Sequence, residues 1–380
     1  MSKSPSAIVV GGGIGGLAAA IALARRGWRV EVLERAAEIG EVGSGISLWP
    51  NGLRALDALG LGDRIRAEGT LGTDGGIRDR RGRWLSKTDT AALARWYWSL
   101  VAVRRADLFA ILSAALPDDA LRLGTTVTGV EDRGATVAVT HSRGRSEADL
   151  VIGADGLRSV VRASVWPHAR APRYAGYTAW RTITRPLDFK PDGSETWGRG
   201  ERFGIVPLGD DCAYLFAAAT VREGERGPDG EFAELQRRFG HWPDPIPAAL
   251  AAVEPNTVLR HDIYDLPALD TYARGRIALL GDAAHAMTPN LGQGANQALE
   301  DAVTLAALLD NHPIGPALTA YDRVRRPRAQ RIVRRSRVIG TVAQWSSPLA
   351  TRLRDTAIRL SPTSAMVRSL EPIVDWQPPE

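Results

Sequence analysis

"SAIVVGGGIGGLAAAIALARRGWRVEVLER", Ser6 to Arg35, decides the fold. Ala7 to Val10 is short, apolar and β-branched, the pattern of a buried strand. Gly11, Gly13 and Gly16 come next at G-x-G-x-x-G spacing. An alanine- and leucine-rich run then ends at Gly27, which reads as a helix with its C-terminal stop. "RVEVLE" is a second strand, ending on Glu34. Each glycine has a physical task. Gly11 permits the tight turn, Gly13 lets backbone approach a pyrophosphate, and Gly16 lets the helix pack close to the strand. The helix start offers free N–H groups and a positive dipole end to phosphate. Glu34 stands 18 residues beyond Gly16 (34 − 16), where an acid accepts hydrogen bonds from a ribose diol. A carboxylate there disfavours a 2′-phosphate, so the pattern points to FAD or NAD rather than NADP.

Composition narrows the class around this unit. A chain of 380 residues forms one large or two intimate domains. With 44% hydrophobic and 24% charged residues it has the balance of a soluble globular enzyme. No apolar run reaches the roughly eighteen residues of a membrane span. The N-terminus moves straight into a strand and shows no signal-peptide core or cleavage site. Cys212 is the single cysteine, which excludes an intramolecular disulfide and any CxxC motif. These features together predict a cytoplasmic protein, and leave monomer and homodimer equally open. The net charge of +5 is concentrated in "DRVRRPRAQRIVRRSR", Asp322 to Arg337. It reads either as a solvated helix face or as a steering surface for an anionic nicotinamide or substrate. No nucleic-acid-binding module accompanies it, so nucleic acid is not an expected partner.

The residues after Glu34 separate FAD from NAD. An NAD dehydrogenase would continue as alternating α/β units. Instead "GEVGSGISLWPNGLRALDALGL" (residues 40–61) is a glycine-rich loop, containing Gly45 and Ile46, that leads into an amphipathic helix. "VAVRRADLFAILSAAL" (residues 101–116) gives a strand and a helix carrying Arg105. A strand, a small hairpin and another strand then lead to Asp155-Gly156 in "VIGADGLRSVVR". Much later comes "RIALLGDAAHAMTPNLGQGANQALEDA" (residues 276–302).

With these three fingerprints in this order, the chain resembles the class A flavoprotein monooxygenases, the aromatic hydroxylase family related to p-hydroxybenzoate and salicylate hydroxylases. The similarity covers roughly residues 6 to 335. It implies an FAD site formed by Gly11, Gly13, Ile14, Gly15, Gly16, Glu34, Arg35, Gly45, Ile46, Arg105, Val127, Asp155, Gly156, Asp282, Pro289, Gly292, Gly294, Ala295 and Asn296. In that site Glu34 binds the adenosine ribose with Arg35 beside the adenine. Arg105 reaches the ribityl or phosphate region, and Val127 touches the adenine through backbone. Asp155 acts near the pyrophosphate, Asp282 holds the ribityl chain, and Pro289 to Asn296 face the flavin ring. Singly, each has a plainer reading: Asp-Gly is ordinary turn chemistry, Arg105 a surface helix residue, Asp282 an N-cap. No second G-x-G-x-x-G stands after a strand. NADH or NADPH would therefore visit as a transient reductant without its own Rossmann unit.

The implied fold is α/β: a Rossmann-like FAD-binding domain with an inserted mixed α+β substrate domain, p-hydroxybenzoate hydroxylase-like, and a C-terminal helical segment. Residues 1–72, 100–172 and 270–330 fall to the FAD domain. Residues 73–99 and 173–269 fall to the substrate domain, where alternating aromatic and β-branched runs read as antiparallel strands. Residues 331–380 form the helical segment, whose tail is expected on the surface.

Trp180, Trp197, Trp96 and Trp98 lie in the inserted domain and read either as sheet packing or as an aromatic pocket lining. Arg202 and Tyr214 lie on successive predicted strands. Their spacing resembles that of the urate-hydroxylase branch, where an arginine and a tyrosine contact substrate. The alternative is an exposed strand arginine and a core tyrosine. The reaction implied by the family uses NAD(P)H, FAD and O2 to hydroxylate or epoxidise a small aromatic substrate through a C4a-hydroperoxyflavin. A halogenase or a reductase on the same fold is the alternative, although "WYWSL" lacks the Ile-Pro expected after a halogenase Trp-x-Trp. No GxSxG or HExxH motif is present. The six histidines show no metal-ligand spacing, so no metal is expected and His285 reads as structural.

Overall fold

In the computed structural model, residues 4–38, 44–71, 75–88 and 100–379 are described. Trp96 and Trp98 lie outside them. Ser6–Val10 pairs in parallel with Arg29–Leu33 on one side and Leu150–Gly153 on the other. Ile277–Leu279 and Leu121–Arg122 extend the sheet in parallel, and Ala273–Arg274 closes one edge antiparallel. The crossover helix Ile14–Ala24 carries almost no polar atoms and is buried nearly throughout. Gly11 has φ +105, a conformation that suits glycine. A Cβ on Gly16 would lie 2.0 Å from the Gly11 carbonyl oxygen, so helix and turn touch backbone to backbone. Gly15 faces the opposite way: its Cβ would meet Leu280 and Ala298 at 2.8 and 2.9 Å. That packs the first helix against the Gly294–Asn311 helix.

A seven-stranded mixed sheet forms the second layer. Its order is Leu259–Asp265, Arg173–Ile183, Ala213–Ala219, Glu201–Pro207, Gly193–Trp197, Gly75–Asp79, Trp84–Thr88. All neighbours are antiparallel except Gly193–Trp197 with Gly75–Asp79. One face packs on the Glu231–Phe239 and Ile246–Ala251 helices through Phe203, Leu215, Phe239 and Trp242. The other face carries Arg202, Tyr214 and Trp197.

The arginine-rich run lies in one thirty-residue helix, Ile314–Ala343, which contains Pro327 and continues across position 330. It is not a uniformly solvated face. Arg325 is fully buried, while Arg323, Arg331 and Arg334 are exposed. The tail is not confined to the surface either. Ile373, Val374 and Trp376 are buried, and Arg54 Nη1 donates to the Val374 and Trp376 carbonyls at 2.8 and 3.1 Å.

Candidate active site

The first glycine loop and the stretch after Ile277–Leu279 meet at the carboxyl ends of the parallel strands, where ligands of such sheets bind. Glu34 folds over the loop. Its Oε2 accepts from the Gly12 amide at 2.6 Å and its Oε1 from Ala36 at 2.8 Å. A carboxylate has about four acceptor positions, so capacity for a diol remains. Space is open where a Cβ on Gly13 would stand. Asp282 begins the Asp282–His285 turn of helix, is exposed, and has no hydrogen-bond partner among the described residues.

Pro289–Leu291 is a tight turn closed by Gly292, which is left-handed at φ 60, ψ 27. The Gly294–Asn311 helix comes next. The amides of Gly294, Ala295 and Asn296 belong to its first turn and lack intrahelical acceptors, which gives this end positive character. Space above Gly294 is open. The turn is held from behind: Asn290 Nδ2 donates to Thr288 Oγ1 at 2.8 Å and to the Ser336 carbonyl at 2.9 Å.

Behind that helix start lies a buried polar network that the sequence did not reveal. Arg325 Nε donates to Asp301 Oδ1 at 2.7 Å, and its Nη1 contacts Glu300. Asp301 Oδ2 accepts from His285 Nε2 at 2.6 Å and from the Gly281 amide at 3.0 Å. Burial alone would raise the Asp301 pKa, but His285, Arg325 and the Gly281 amide hold it at about 2. Asn51 Nδ2 donates to Glu300 at 2.6 Å and to Gln293 at 2.9 Å. Adjacent acids in an otherwise apolar helix, "ALEDAVTLAALL", were the available clue.

On the sheet face opposite the helices, Arg202 pairs in register with Ala218, Gly204 with Phe216, and Val206 with Tyr214. Arg202 and Tyr214 therefore share a face, four pairs apart, roughly 13 Å along the strands. Phe216 lies between them, its ring over Gly204, where a Cβ would come within 2.1 Å. Tyr214 lies flush on Gly45, whose Cβ would meet its ring at 2.7 Å. Arg202 is 4% exposed. Its Nη1 donates to Glu195 at 3.2 Å, its Nη2 donates to Asn290, and its Nε has no partner. Tyr177, two positions from Ala179 on the same face, reaches the same point, where Asn290 Nδ2 donates to its hydroxyl at 3.1 Å. Tyr177 and Phe216 are additions to the residues expected from sequence, and Asn290, inside the 289–296 stretch expected at the flavin ring, contacts the Arg202 face.

The family described as "FAD binding domain" matches residues 5–336. Over 365 residues the chain is 38% identical to the aurachin C monooxygenase/isomerase of Stigmatella aurantiaca, covering 95% of both chains. It is 38% identical over 348 residues to the 3-amino-4-hydroxybenzoate 2-monooxygenase of Streptomyces cremeus, covering 87% of this chain and 85% of that one. The chain belongs to the FAD-dependent aromatic monooxygenases. The solved structure of Klebsiella pneumoniae HpxO complexed with FAD and uric acid superposes with a TM-score of 0.90 at 31% identity, covering 97% of this chain and 96% of that one.

As a member of this family, the monooxygenase has a groove whose residues fit a flavin nucleotide. Gly13 and Gly294 leave room for close approach, Asp282 is uncommitted, and Gln293 Nε2 is buried without a partner beside the helix start.

Three expected site residues have their polar atoms engaged elsewhere. The Asp155 carboxylate accepts from Ser159 Oγ at 2.5 Å and from the Val160 and Val161 amides at 2.6 and 3.1 Å. It therefore helps cap the Val160–Val165 helix. Only the Asp155 backbone packs on Gly11. The Asn296 side chain is fully buried and bonded to Ser47, Trp49 and Gly292 backbone, leaving only its amide toward the groove. Trp180 is on the wrong face of its strand. It packs among the helix-side residues and donates to Glu231 at 2.7 Å, so it does not line the Arg202 face. Trp197 shares that face but lies beneath the Arg354 guanidinium, 5.2 Å from its ring centroid. Arg105 opens the Arg105–Ser113 helix, its amide donating to Ser44 next to Gly45. Val127 is buried at the start of Val127–Asp132.

Proposed function

We propose that this monooxygenase hydroxylates or epoxidises a small electron-rich aromatic or heteroaromatic compound bearing an anionic oxygen. NADH or NADPH would supply the electrons and O2 the inserted atom. The observation that carries the substrate class is Arg202, a buried guanidinium with one carboxylate neighbour and an unpartnered Nε, on a sheet face that ends at Tyr214. Buried charge of this kind is stabilised by an anion with matching geometry.

In this reading, residues 1–72, 100–172 and 270–330 bind the cofactor, residues 73–99 and 173–269 the substrate, and the helical segment 331–380 continues from the former. Gly11 to Gly16 would hold the pyrophosphate and Glu34 the adenosine ribose, with Arg35 beside the adenine. Asp282 would hold the ribityl hydroxyls. The amides of Gly294, Ala295 and Asn296 would face the ring and stabilise negative charge there. When bound, the flavin supplies the redox and oxygen-activating chemistry.

The chain's own residues act on the substrate. Arg202 holds the deprotonated, more nucleophilic form of the ring. Glu195 and Asn290 fix two arms of the guanidinium, and Asn290 ties that orientation to the turn beside the groove. Burial pushes the Tyr177 hydroxyl up in spite of the Arg202 charge, so it stays protonated and keeps Asn290 in place. Phe216 offers a stacking surface between Arg202 and Tyr214.

The test is NADH and NADPH consumption across phenols, benzoates, indoles and purines, with product analysis under 18O2. An 18O-labelled product with an anionic substrate is expected, and Arg202→Gln should lower its kcat/KM by about 100-fold, the scale of a lost charged contact. Product without label, or full activity in Arg202→Gln, would defeat the proposal.

A further inference from the structure

We propose that a cavity behind the Gly281–His285 turn is a second ligand site, shaped for a small hydroxylated aromatic acid and separate from the face served by Arg202.

The cavity measures about 140 Å³. An engineered protein cavity of about 150 Å³ holds benzene, so this one is the size of a single ring. Leu266, Pro267 and Val333 give it apolar walls. Tyr272 and His285 line it too, both at most 2% exposed, with ring centroids 5.7 Å apart. The Tyr272 hydroxyl and His285 Nδ1 are buried with no hydrogen-bond partner. Two such groups in one pocket are costly unless something fills it, at roughly 1–3 kcal/mol each.

The donor pattern selects the ligand. Asp301 is ionised and accepts from His285 Nε2, which therefore carries the ring proton. Nδ1 then accepts in the neutral ring and donates in the imidazolium, and a hydroxyl, which can do either, meets both cases. Burial keeps the Tyr272 hydroxyl protonated, so it can donate. A ligand hydroxyl satisfies both at once, donating to His285 and accepting from Tyr272. A carboxylate in that position could serve only the imidazolium. At the rim, Arg334 is exposed and available to an anion, while Arg337 is already paired with Asp265. Hydroxyl inward and carboxylate outward on one ring is a phenolic acid. Occupancy also reaches the cofactor groove, because Asp301 accepts from both His285 and the amide of Gly281, the residue before Asp282.

The probe is 3-fluoro-4-hydroxybenzoate, observed by 19F NMR on flavin-loaded Arg202→Gln protein, in which the other anion position is disabled. One saturable site is expected. Benzoate, lacking the hydroxyl, should bind at least tenfold more weakly. Arg334→Glu and Ala268→Trp alter exposed rim positions, and each should weaken probe binding at least tenfold with the flavin absorbance unchanged. No saturable site in Arg202→Gln protein would overturn the proposal and leave the two groups to solvent. Equal binding of benzoate, or undiminished binding in Ala268→Trp, would overturn it as well. None of these readouts depends on turnover, so the result is independent of the substrate assigned to the Arg202 face.

Discussion

Arg325 and Asp301, both wholly inaccessible to solvent, meet at 2.7 Å across the two longest helices of the molecule. Glu300 takes the other side of the same guanidinium, and Gln297 accepts from its third nitrogen at 2.9 Å. The position that looked like one arginine among many is therefore the junction between the helix that faces the flavin groove and the one that supports it.

Removing this guanidinium leaves Asp301 with His285 and Glu300 with Arg328, each short of one buried cationic partner. Arg325→Leu should cost about 3–5 kcal/mol in urea unfolding, the range for breaking a buried pair from one side. Arg325→Lys should recover little of it, because an ammonium lacks the planar fork that reaches Glu300, Asp301 and Gln297 together. Full stability in the lysine variant would contradict the geometry.

Acid should act through Asp301. Its folded pKa of about 2 lies below the ordinary 3.8. A depressed carboxylate contributes stability that is present above the unfolded pKa and lost as pH falls through the folded one. The shift corresponds to about 2 kcal/mol, given up between roughly pH 4 and pH 2. Unfolding free energies measured across that window should fall more steeply in the native protein than in Asp301→Asn. Parallel curves would show that another group is responsible.

Two glycines of one loop should fail differently. Gly292 has φ +60, and a Cβ there would stand 3.0 Å from Trp49 Nε1, so Gly292→Val should lower the melting temperature of the flavin-free protein. Gly294 has open space above it and ordinary helix-start geometry. Gly294→Val should leave that melting temperature within about 2 °C, a surface-sized effect, while weakening FAD binding at least tenfold. Unchanged FAD affinity in Gly294→Val would remove the loop from the cofactor site.

Trp180 offers a negative control for the substrate face. Trp180→Phe should leave substrate KM unchanged, because the ring is on the helix side of the sheet, and should cost stability through the lost bond to Glu231. Phe216→Ala, on the Arg202 side, should raise KM. The reverse pair of results would mean that the substrate lies on the helix side of this sheet.

The legible parts of this fold were those set by backbone. Gly11 and Gly16 occupy positions where a side chain would collide with main chain, so their spacing specifies the turn, and local pattern then specifies the surrounding strand and helix. Charged side chains were less legible, because a sequence shows a charge but not its partner. Arg325 looked solvated until Glu300 and Asp301 were brought to it from another helix. Asp155 stands in its motif, yet its carboxylate turned to the Ser159 hydroxyl and to the Val160 and Val161 amides, four to six positions ahead. For Trp180, strand alternation states that neighbours face opposite ways. It does not state which side the helices will cover.

The bonds from Arg54 to the carbonyls of Val374 and Trp376 join positions 320 and 322 residues apart. Arg328 reaches Pro372 and Ile373 in the same region. During synthesis the chain therefore waits, with the early helix and its arginine made, for partners translated more than 300 residues later. A nascent chain can assemble its first strand-turn-helix unit at once, but this clamp forms only after residues 372–376 have been made.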